Sequence, residues 1–360
     1  MLEIGIIGLP NVGKSTIFNA LVKNNQAQSS NYPFTTIEPN VGIVEVPDER
    51  LAKLAEIEKS KKIVPALIKF VDIAGLVKGA SEGAGLGNKF LSHIKEVDAV
   101  CMVVRCFENP NVIHVAGKID PADDIKVINL ELILADLEQV ERAAERAGKE
   151  AKSGDKEKIK KLELLKKIKE GLEKEIPIRD QNVETQSLAS LREIQLITNK
   201  PLFYIANVAE SQLNVSLKEL GMPEDAIKIC AKLESDLNSL NEEEKDEYLE
   251  TLGSTVGTTL GLSLQEVIKK GYQILNLISF LTAGELEARA WTIKKGFKAP
   301  AAAGIIHTDF EKKFIAADVI PYEKFVEAGG WIPAREKGWV RTEGKEYEMQ
   351  DGDVVVFKHG

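Results

Sequence analysis

The chain has 360 residues, of which 44% are hydrophobic, and it carries a formal net charge of −9. This length allows two or three domains with a large core. The acidic balance argues against a protein that binds nucleic acid through its overall charge, so any RNA contact must come from a local basic patch. Apolar runs stay below the ~20 residues that cross a bilayer, and no signal-peptide pattern precedes the first strand-like run. We therefore expect a soluble, cytoplasmic protein without a membrane partner.

The cysteines are few and lie in apolar runs. They are Cys101, Cys106 and Cys230, an odd number without metal-ligand spacing. We expect buried thiols in a reducing compartment rather than disulfides or a zinc site.

Residues 8–15 (GLPNVGKS) form the first motif, and they fit the phosphate-binding pattern G-x-x-x-x-G-K-[ST]. The motif lies between a predicted strand, residues 2–7, and a predicted helix, residues 16–23. Glycines allow backbone N–H groups to turn toward phosphate oxygens, and the helix N-terminus attracts negative charge. We therefore predict a nucleoside-triphosphate site here.

The second half of this loop and the residue after it receive predicted roles. Lys14 would reach the β- and γ-phosphates as the catalytic lysine, and the Ser15 hydroxyl would ligate Mg²⁺. The remaining predicted nucleotide contacts come from Asn11, Val12, Gly13 and Thr16.

Apolar runs alternate with helical patterns along the first three quarters of the chain. Such alternation predicts an α/β domain with a mostly parallel sheet covered by helices on both faces. The predicted strands are residues 2–7, 41–46, 66–71, 99–104, 202–206 and 226–230.

Two consecutive helical patterns interrupt the alternation at residues 128–148 and 156–175. Residues 153–155 between them have turn chemistry, so we predict an antiparallel coiled-coil hairpin within an insertion at 128–200. Its charged outer face is either solvated or a partner-docking surface. The apolar stripes expected to pack are Leu130, Ile133, Leu134, Leu137 and Val140 on the first helix, and Leu162, Leu165, Ile168 and Leu172 on the second.

The pattern changes again near residue 277. Strand-like pieces at 288–292 and 354–357 surround one short helical piece at 321–328, and residues 349–353 predict a tight turn. We therefore predict two domains, a nucleotide domain at 1–276 and a small α+β module at 277–360.

Switch residues are predicted on two loops. Asp72 and Gly75 form a D-x-x-G motif after the 66–71 strand, where Asp72 would hold Mg²⁺ through water and the Gly75 N–H would meet the γ-phosphate. Upstream, either Thr35 or Thr36 can ligate Mg²⁺, with turn capping as the alternative role.

Residue 76 is leucine, where Ras-like enzymes place a glutamine that orients the attacking water. A hydrocarbon cannot hold water, so either hydrolysis is slow or another group substitutes. His114, after the 99–104 strand, is the favoured candidate for a catalytic role, and His93 is the lesser one. A structural or surface role is the competing interpretation of both histidines.

The base-reading segment follows the 202–206 strand. GTPases carry N-K-x-D there, and this chain has Asn207, Val208, Ala209 and Glu210. The displaced carboxylate should weaken guanine recognition, whereas an amide can pair with adenine N6 and N7. We predict that Asn207 and the Val208 backbone bind adenine, and that ATP is preferred to GTP.

A basic patch is predicted in the terminal module, with aromatic residues among its lysines. Phosphate contacts and stacking on such a face would bind rRNA, although the aromatic residues can equally belong to the core. The residues are Lys294, Lys295, Lys298, Lys312 and Lys313, with Trp291, Phe297 and Phe314.

Taken together, these motifs resemble the Obg-like ATPases of the YchF family, which belong to the TRAFAC class of P-loop NTPases. The resemblance rests on residues 8–16, 31–40, 72–80, 207–210 and 338–357, and it spans essentially the whole chain. It implies a Ras-like P-loop NTPase domain with a helical insertion, followed by a ubiquitin-like β-grasp module called TGS.

The resemblance also implies activity and partners. It implies ATP hydrolysis with Mg²⁺, association with ribosomes through the TGS module and the coiled coil, and Thr36 rather than Thr35 as the metal ligand. Asn11 matches a position linked to K⁺ activation in related NTPases. We expect a monomeric ATP-driven switch that regulates translation. The alternatives are a ribosome-assembly GTPase and a regulatory ATP-binding protein with little turnover.

Overall fold

The computed structural model describes residues 1–25, 40–73, 85–109, 118–183, 191–237, 240, 244, 248 and 254–360. The strands in this part of the chain are β1 (Glu3–Ile7), β2 (Val41–Glu45), β3 (Ile63–Val64), β4 (Leu67–Asp72), β5 (Ala99–Arg105), β6 (Leu202–Asn207), β7 (Ile227–Ile229), β8 (Leu277–Ala283), β9 (Ala288–Lys294), β10 (Phe314–Pro321), β11 (Arg341–Glu343) and β12 (Asp353–His359). The helices of four turns or fewer are α1 (Lys14–Asn25), α2 (Arg50–Glu58), α3 (Gly85–Glu96), α6 (Ala231–Leu237), α8 (Ala299–Ile306), α9 (Thr308–Lys312), α10 (Tyr322–Ala328) and α11 (Trp331–Glu336), and the longer ones are α4 (Pro121–Ala151), α5 (Lys156–Glu173) and α7 (Ser254–Ile274).

The first sheet has the strand order β2-β4-β1-β5-β6-β7. Its neighbouring strands are parallel except β2, which runs antiparallel to β4. All six predicted strands of this sheet are present within one residue of their predicted ends. Every residue of β5 is buried, because a central parallel strand is covered by helices on both faces.

Helices α4 and α5 pack side by side and are joined by residues 152–155, so the predicted antiparallel hairpin is confirmed. The first helix begins seven residues earlier than predicted, because Asp120 caps it by accepting a hydrogen bond from the Asp123 N–H and proline occupies its first turn. The residues buried between the hairpin and its flanking segment include Ile133, Val140, Ala147, Leu165, Ile168 and Leu172.

Two residues of the predicted stripe are not buried. Leu130 and Leu134 are 40% and 41% exposed. The long helix serves two cores in succession: Ile128 and Leu132 pack on the nucleotide domain, whereas Ile133 and Val140 pack within the hairpin. The buried face therefore shifts along the helix, and a single stripe cannot describe it.

The second sheet has the order β11-β10-β12-β8-β9-β3. Residues 277–360 also carry α8, α9, α10 and α11, so the prediction of one helical piece was wrong. These helices have five to eight residues, too few turns for an apolar period to be recognised. The detailed β-grasp assignment stays a prediction.

The two sheets are joined by a segment of the nucleotide domain. Strand β3 adds to the outer edge of β9, with Ile63 opposite Ala288 and Val64 opposite Arg289. The Arg50 guanidinium bonds Asp48 and reaches Asp351 at 2.8 Å, and these hydrogen bonds, first that with Asp48, raise the pKa of Arg50. The predicted boundary at 276/277 thus divides the sequence into two parts, but β3 from the first part belongs to the sheet of the second part.

Within the described ranges, no helix is long and apolar enough to span a membrane.

A buried carboxylate fastens the hairpin to the segment that leads from it into β6. Asp136 on α4 is fully buried and accepts hydrogen bonds from the Ile197 N–H at 2.9 Å, the Thr198 N–H at 2.7 Å and the Thr198 hydroxyl at 2.7 Å. Asp136→Ala leaves these donors buried without an acceptor, so we expect the free energy of unfolding to fall by about 2–4 kcal/mol.

Urea unfolding checks this prediction. Glu145→Ala, at an exposed position of the same helix, is the control and should change stability by less than about 0.5 kcal/mol. Equal effects of the two substitutions would show that Asp136 does not fasten the hairpin.

Candidate functional site

The phosphate loop connects β1 to α1 as the sequence predicted. Gly8 and Gly13 have φ values of +154° and +96°, which favour glycine. Close neighbours impose a second constraint, because a Cβ at Gly13 would lie 2.3 Å from the Asn207 Nδ2, and one at Gly8 would lie 2.4 Å from the Val103 carbonyl oxygen. The loop is therefore pressed against the ends of β5 and β6, and its shape is fixed by its neighbours.

The helix that follows the loop presents its N-terminus at the same place. The first hydrogen bond of the helical pattern runs from the Ile17 N–H to the carbonyl oxygen of Gly13, in the loop, at 3.0 Å. The N–H groups of Lys14, Ser15 and Thr16 precede that bond and belong to the first helical turn, whose donors have no intrahelical acceptor. Together with the helix dipole they form a site for an anion.

Lys14 closes the loop on itself. Its ammonium donates a hydrogen bond to the Leu9 carbonyl oxygen at 2.8 Å, and the residue is only 8% exposed. Burial lowers the pKa of Lys14, and the charge of Asp72 partly offsets that effect. A cation held in such a dry position interacts strongly with phosphate oxygens.

Ser15 and Asp72, the predicted magnesium residues, lie together. The Ser15 hydroxyl donates to the Asp72 Oδ2 at 2.7 Å. The other carboxylate oxygen, Oδ1, is buried and has no hydrogen-bond partner among the described residues. Oxygen ligands and a spare carboxylate oxygen are what Mg²⁺ prefers, so the residues present fit this ion.

Asn207, the predicted adenine reader, forms hydrogen bonds with the protein through both ends of its amide, and its contact with the base stays a prediction. It is 3% exposed, its Nδ2 donates to the Val12 carbonyl oxygen at 2.7 Å, and its Oδ1 accepts from the Ala231 N–H at 3.1 Å. Each end of the amide already has a protein partner. Asn207 thus links the phosphate loop to the segment after β7.

The backbone N–H of Val208, the other predicted adenine contact, is also engaged by the protein. This N–H donates to the Ile229 carbonyl oxygen at 2.9 Å, and the Val208 side chain is buried, so that donor is not free for adenine. The neighbouring Ala209 N–H bonds the Gln212 Oε1, and the Gln212 Nε2 bonds the Cys106 carbonyl oxygen. Sequence reasoning missed Gln212, which fixes the base-reading segment against the end of β5.

Several predicted residues lie outside the described part of the chain. They are Thr35, Thr36, Gly75, Leu76 and His114. His93 lies on α3 with an exposed side chain. The roles assigned to these residues stay predictions.

Two buried charged residues near the site were not predicted. Arg105 ends β5, is 1% exposed, and donates from Nε to the Phe107 carbonyl oxygen at 3.1 Å. Glu234 on α6 is 2% exposed and accepts a 2.5 Å hydrogen bond from the Ser263 hydroxyl of α7. Burial raises the pKa of Glu234 to about 7. Their only signal in the sequence is a charged residue in an apolar run.

All three cysteines are buried and free, as predicted. Burial raises the pKa of the Cys106 thiol to about 12 and also raises the pKa values of Cys101 and Cys230. Such thiols are structural rather than reactive.

The predicted basic and aromatic face is only partly formed. Its lysines are exposed, and Lys298 pairs with Glu346. Phe314, however, is 6% exposed and belongs to the core, so the predicted stacking of a base on it was wrong. The Trp291 ring lies near the Phe280 ring and the Arg289 guanidinium, and base stacking on Trp291 stays a prediction.

Comparisons with known proteins cover the whole chain. A family model described as a 50S ribosome-binding GTPase matches residues 3–153, and a model named YchF-GTPase_C, described as a protein of unknown function, matches residues 277–360. The chain is 51% identical to the ribosome-binding ATPase YchF of Bacillus subtilis, over 99% of each chain. It is 49% identical to the protein of the same name from Escherichia coli O157:H7, over 99% of this chain and 98% of that one.

A solved structure is similar over the same length. The YchF GTPase of Schizosaccharomyces pombe matches with a TM-score of 0.86 at 38% identity, covering 99% of this chain and 97% of that chain. The similarity thus extends through the nucleotide domain, the hairpin and the C-terminal module.

Asn207→Ala tests whether the Asn207 amide holds the phosphate loop in place or binds the nucleotide base. If the amide holds the phosphate loop, its loss should weaken ATP and GTP by a similar factor, about tenfold or more, because the Ala231 N–H and the Val12 carbonyl lose their buried partner. Isothermal titration calorimetry with both nucleotides measures this. Loss of ATP binding with unchanged GTP binding would restore the base-reading role.

Glu234 makes stability depend on pH. Its folded pKa of about 7 exceeds its ordinary value of 4.5, so the folded state holds the proton more tightly and the free energy of unfolding falls as pH rises through that interval. The loss should approach roughly 3 kcal/mol. Glu234→Gln should reduce the fall in the free energy of unfolding between pH 5 and pH 8, as measured by urea unfolding. A pH dependence equal to that of the unaltered chain would contradict this prediction.

Proposed function

This chain belongs to the YchF family of P-loop NTPases, and from that premise we propose that it binds and hydrolyses ATP with Mg²⁺ and associates with ribosomes. The bacterial relatives named above are described as ribosome-binding ATPases. The proposed binding and hydrolysis of ATP rest on the cluster at the start of α1. There the buried Lys14 is followed directly by Ser15, which is hydrogen-bonded to Asp72.

Phosphoryl transfer depends mainly on positioning and on stabilising charge. Lys14 supplies a fixed positive charge, and the first-turn N–H groups of α1 bind phosphate oxygens. Ser15 and Asp72 would hold Mg²⁺, which neutralises charge on the β- and γ-phosphates when bound. Leu76 occupies the position of the water-orienting glutamine of Ras-like enzymes and cannot bind water, so another group would orient the water. His114 is our candidate for that group.

ATP preference follows from the segment at 207–210. With Asn207 and Val208 engaged by protein groups, guanine selection would depend on residue 210, which is glutamate rather than aspartate. Its carboxylate is displaced by one methylene, and a poorly placed partner leaves the guanine donors unsatisfied. Adenine needs no acidic partner. The relative of known structure from Schizosaccharomyces pombe is described as a GTPase, so the titrations below compare the two nucleotides directly.

The ribosome contacts would come from the hairpin α4–α5 and the C-terminal module. The exposed lysines of that module, Lys294 and Lys295 among them, would meet rRNA phosphates. We propose a monomeric cytoplasmic switch in which Thr36 and Gly75 respond to the γ-phosphate and the bound state regulates translation. K⁺ would be a second cation at Asn11, an exposed residue of the phosphate loop, and we assign no step to it.

Side-by-side titrations test the nucleotide proposal. With Mg²⁺, ATP should bind at least about tenfold more tightly than GTP. Ser15→Ala and Asp72→Asn should reduce the gain in ATP affinity that Mg²⁺ provides, while Ser92→Ala, at an exposed position on α3, should leave it intact. Preference for GTP would favour the ribosome-assembly GTPase.

Turnover with and without ribosomes tests the switch. Lys14→Ala should abolish hydrolysis, and ribosomes should change the rate of the unaltered chain. A rate that ribosomes do not alter would favour the regulatory ATP-binding protein instead.

A further inference from the structure

A cavity lies between the two sheets, lined by residues of both. It has a volume of about 520 Å³, within the range of about 300–1,000 Å³ typical of ligand pockets. Leu2 and Ile68 line it from the nucleotide domain, and Trp291, Ile293, Phe297 and Ile305 line it from the C-terminal module. Its walls are therefore mostly apolar.

The cavity runs along the outer edge of β9. Six consecutive residues, 289–294, line it. Successive side chains of a strand point to opposite faces, so both sets can border one cavity only where it follows the strand's edge.

That edge offers backbone groups. The Lys295 N–H bonds the Asn276 carbonyl oxygen and the Gly284 N–H bonds the Glu287 carbonyl oxygen. In an antiparallel pair the bonded positions alternate, so the odd-numbered residues of β9 face β8. The even-numbered ones face outward, as the bond from the Ala288 N–H to the Lys62 carbonyl oxygen confirms.

Strand β3 pairs with only the first two residues of β9. Pro65 then lines the cavity and the chain turns away into β4; proline has no N–H to continue the ladder. Beyond that point the Ala290 carbonyl, the N–H and carbonyl of Thr292, and the Lys294 N–H face outward, and no described strand pairs with them.

The charges at the cavity have one sign. Arg289 and Lys294 border its two ends, and no aspartate or glutamate is among its lining residues. Arg289 stacks on Trp291 at 4.1 Å and lies 3.6 Å from Glu287 outside the lining. The two cations are about 17 Å apart along the strand, given the rise of about 3.3 Å per residue.

We propose that this groove binds an extended acidic and apolar protein segment, which adds to β9 as a strand in line with β3. Three residues of such a segment satisfy the four outward backbone groups, its apolar side chains fill the cavity, and flanking carboxylates meet Arg289 and Lys294. This is peptide recognition by strand addition. RNA fits less well, because the lining of the groove is mostly apolar.

Amide hydrogen exchange of the free chain tests the open edge. By nuclear magnetic resonance, the amides of Thr292 and Lys294 should exchange at least about tenfold faster than those of Trp291 and Ile293, which are bonded to β8. Equal protection along residues 291–294 would show that the edge is covered and would overturn the proposal.

Three synthetic peptides test the ligand. The probe is acetyl-Glu-Val-Thr-Val-Glu-amide, and the comparison peptides carry Lys in place of Glu, or N-methyl groups on the three central amides. The acidic peptide should shift the Thr292 and Lys294 amide resonances and bind at least threefold more tightly than the Lys peptide. The N-methylated peptide should not bind.

Substitutions of one exposed residue separate charge from backbone bonding. Lys294→Glu should reverse the order of the acidic and Lys peptides, whereas Lys295→Glu, the adjacent control, should not. Lys294→Pro removes the outward N–H without touching the β8 ladder, and it should weaken the acidic peptide more than Lys294→Ala does.

Two outcomes would replace the proposal with another ligand. Equal binding of the N-methylated peptide would mean that the groove takes apolar molecules without strand pairing. Shifts of the same amides by oligouridylate, with none by the acidic peptide, would assign the groove to RNA.

Discussion

The nucleotide site depends on one buried amide. Asn207 joins the Val12 carbonyl of the phosphate loop to the Ala231 N–H at the start of α6, so a loop after β1 is positioned by the ends of β6 and β7. Gly13 must lack a side chain for this approach, and Lys14 and Ser15 follow directly in α1. A shift of the Asn207 side chain would therefore displace the phosphate contacts, and a misplacement of about 1 Å can lower a rate about a hundredfold.

The C-terminal module is fastened to the part of the nucleotide domain that lies between the two predicted switch loops. Residues 40–73 contribute Arg50, which reaches Asp351, Glu58, whose carboxylate accepts from the Trp331 N–H, and β3, which extends the second sheet. The predicted switch residues Thr36 and Gly75 flank this segment in the sequence. A nucleotide-dependent movement of either loop would thus act on a segment that already contacts the second sheet.

Much of the nucleotide domain could be predicted because its signals are local. Strand positions, the phosphate loop and the pairing of Ser15 with Asp72 follow from apolar runs and short motifs, since the carboxyl ends of parallel strands share one edge. The engagement of Asn207 and Val208 could not be predicted, because their partners Val12, Ala231 and Ile229 are far away in sequence. Strand β3 has two residues, and the exposure of Leu130 and Leu134 depends on which of two cores faces the helix. None of these features has a period that a sequence can reveal.

Strand β3 also limits how the protein can be divided. Residues 277–360 resemble a separable unit along the chain, yet the first two residues of the outer edge strand of their sheet pair with Ile63 and Val64, more than two hundred positions earlier. A fragment cut at the boundary would expose the whole length of β9, and unprotected edge strands promote aggregation. Because β12 lies inside the second sheet, between β10 and β8, that sheet can close during synthesis only after residues 353–359 have left the ribosome.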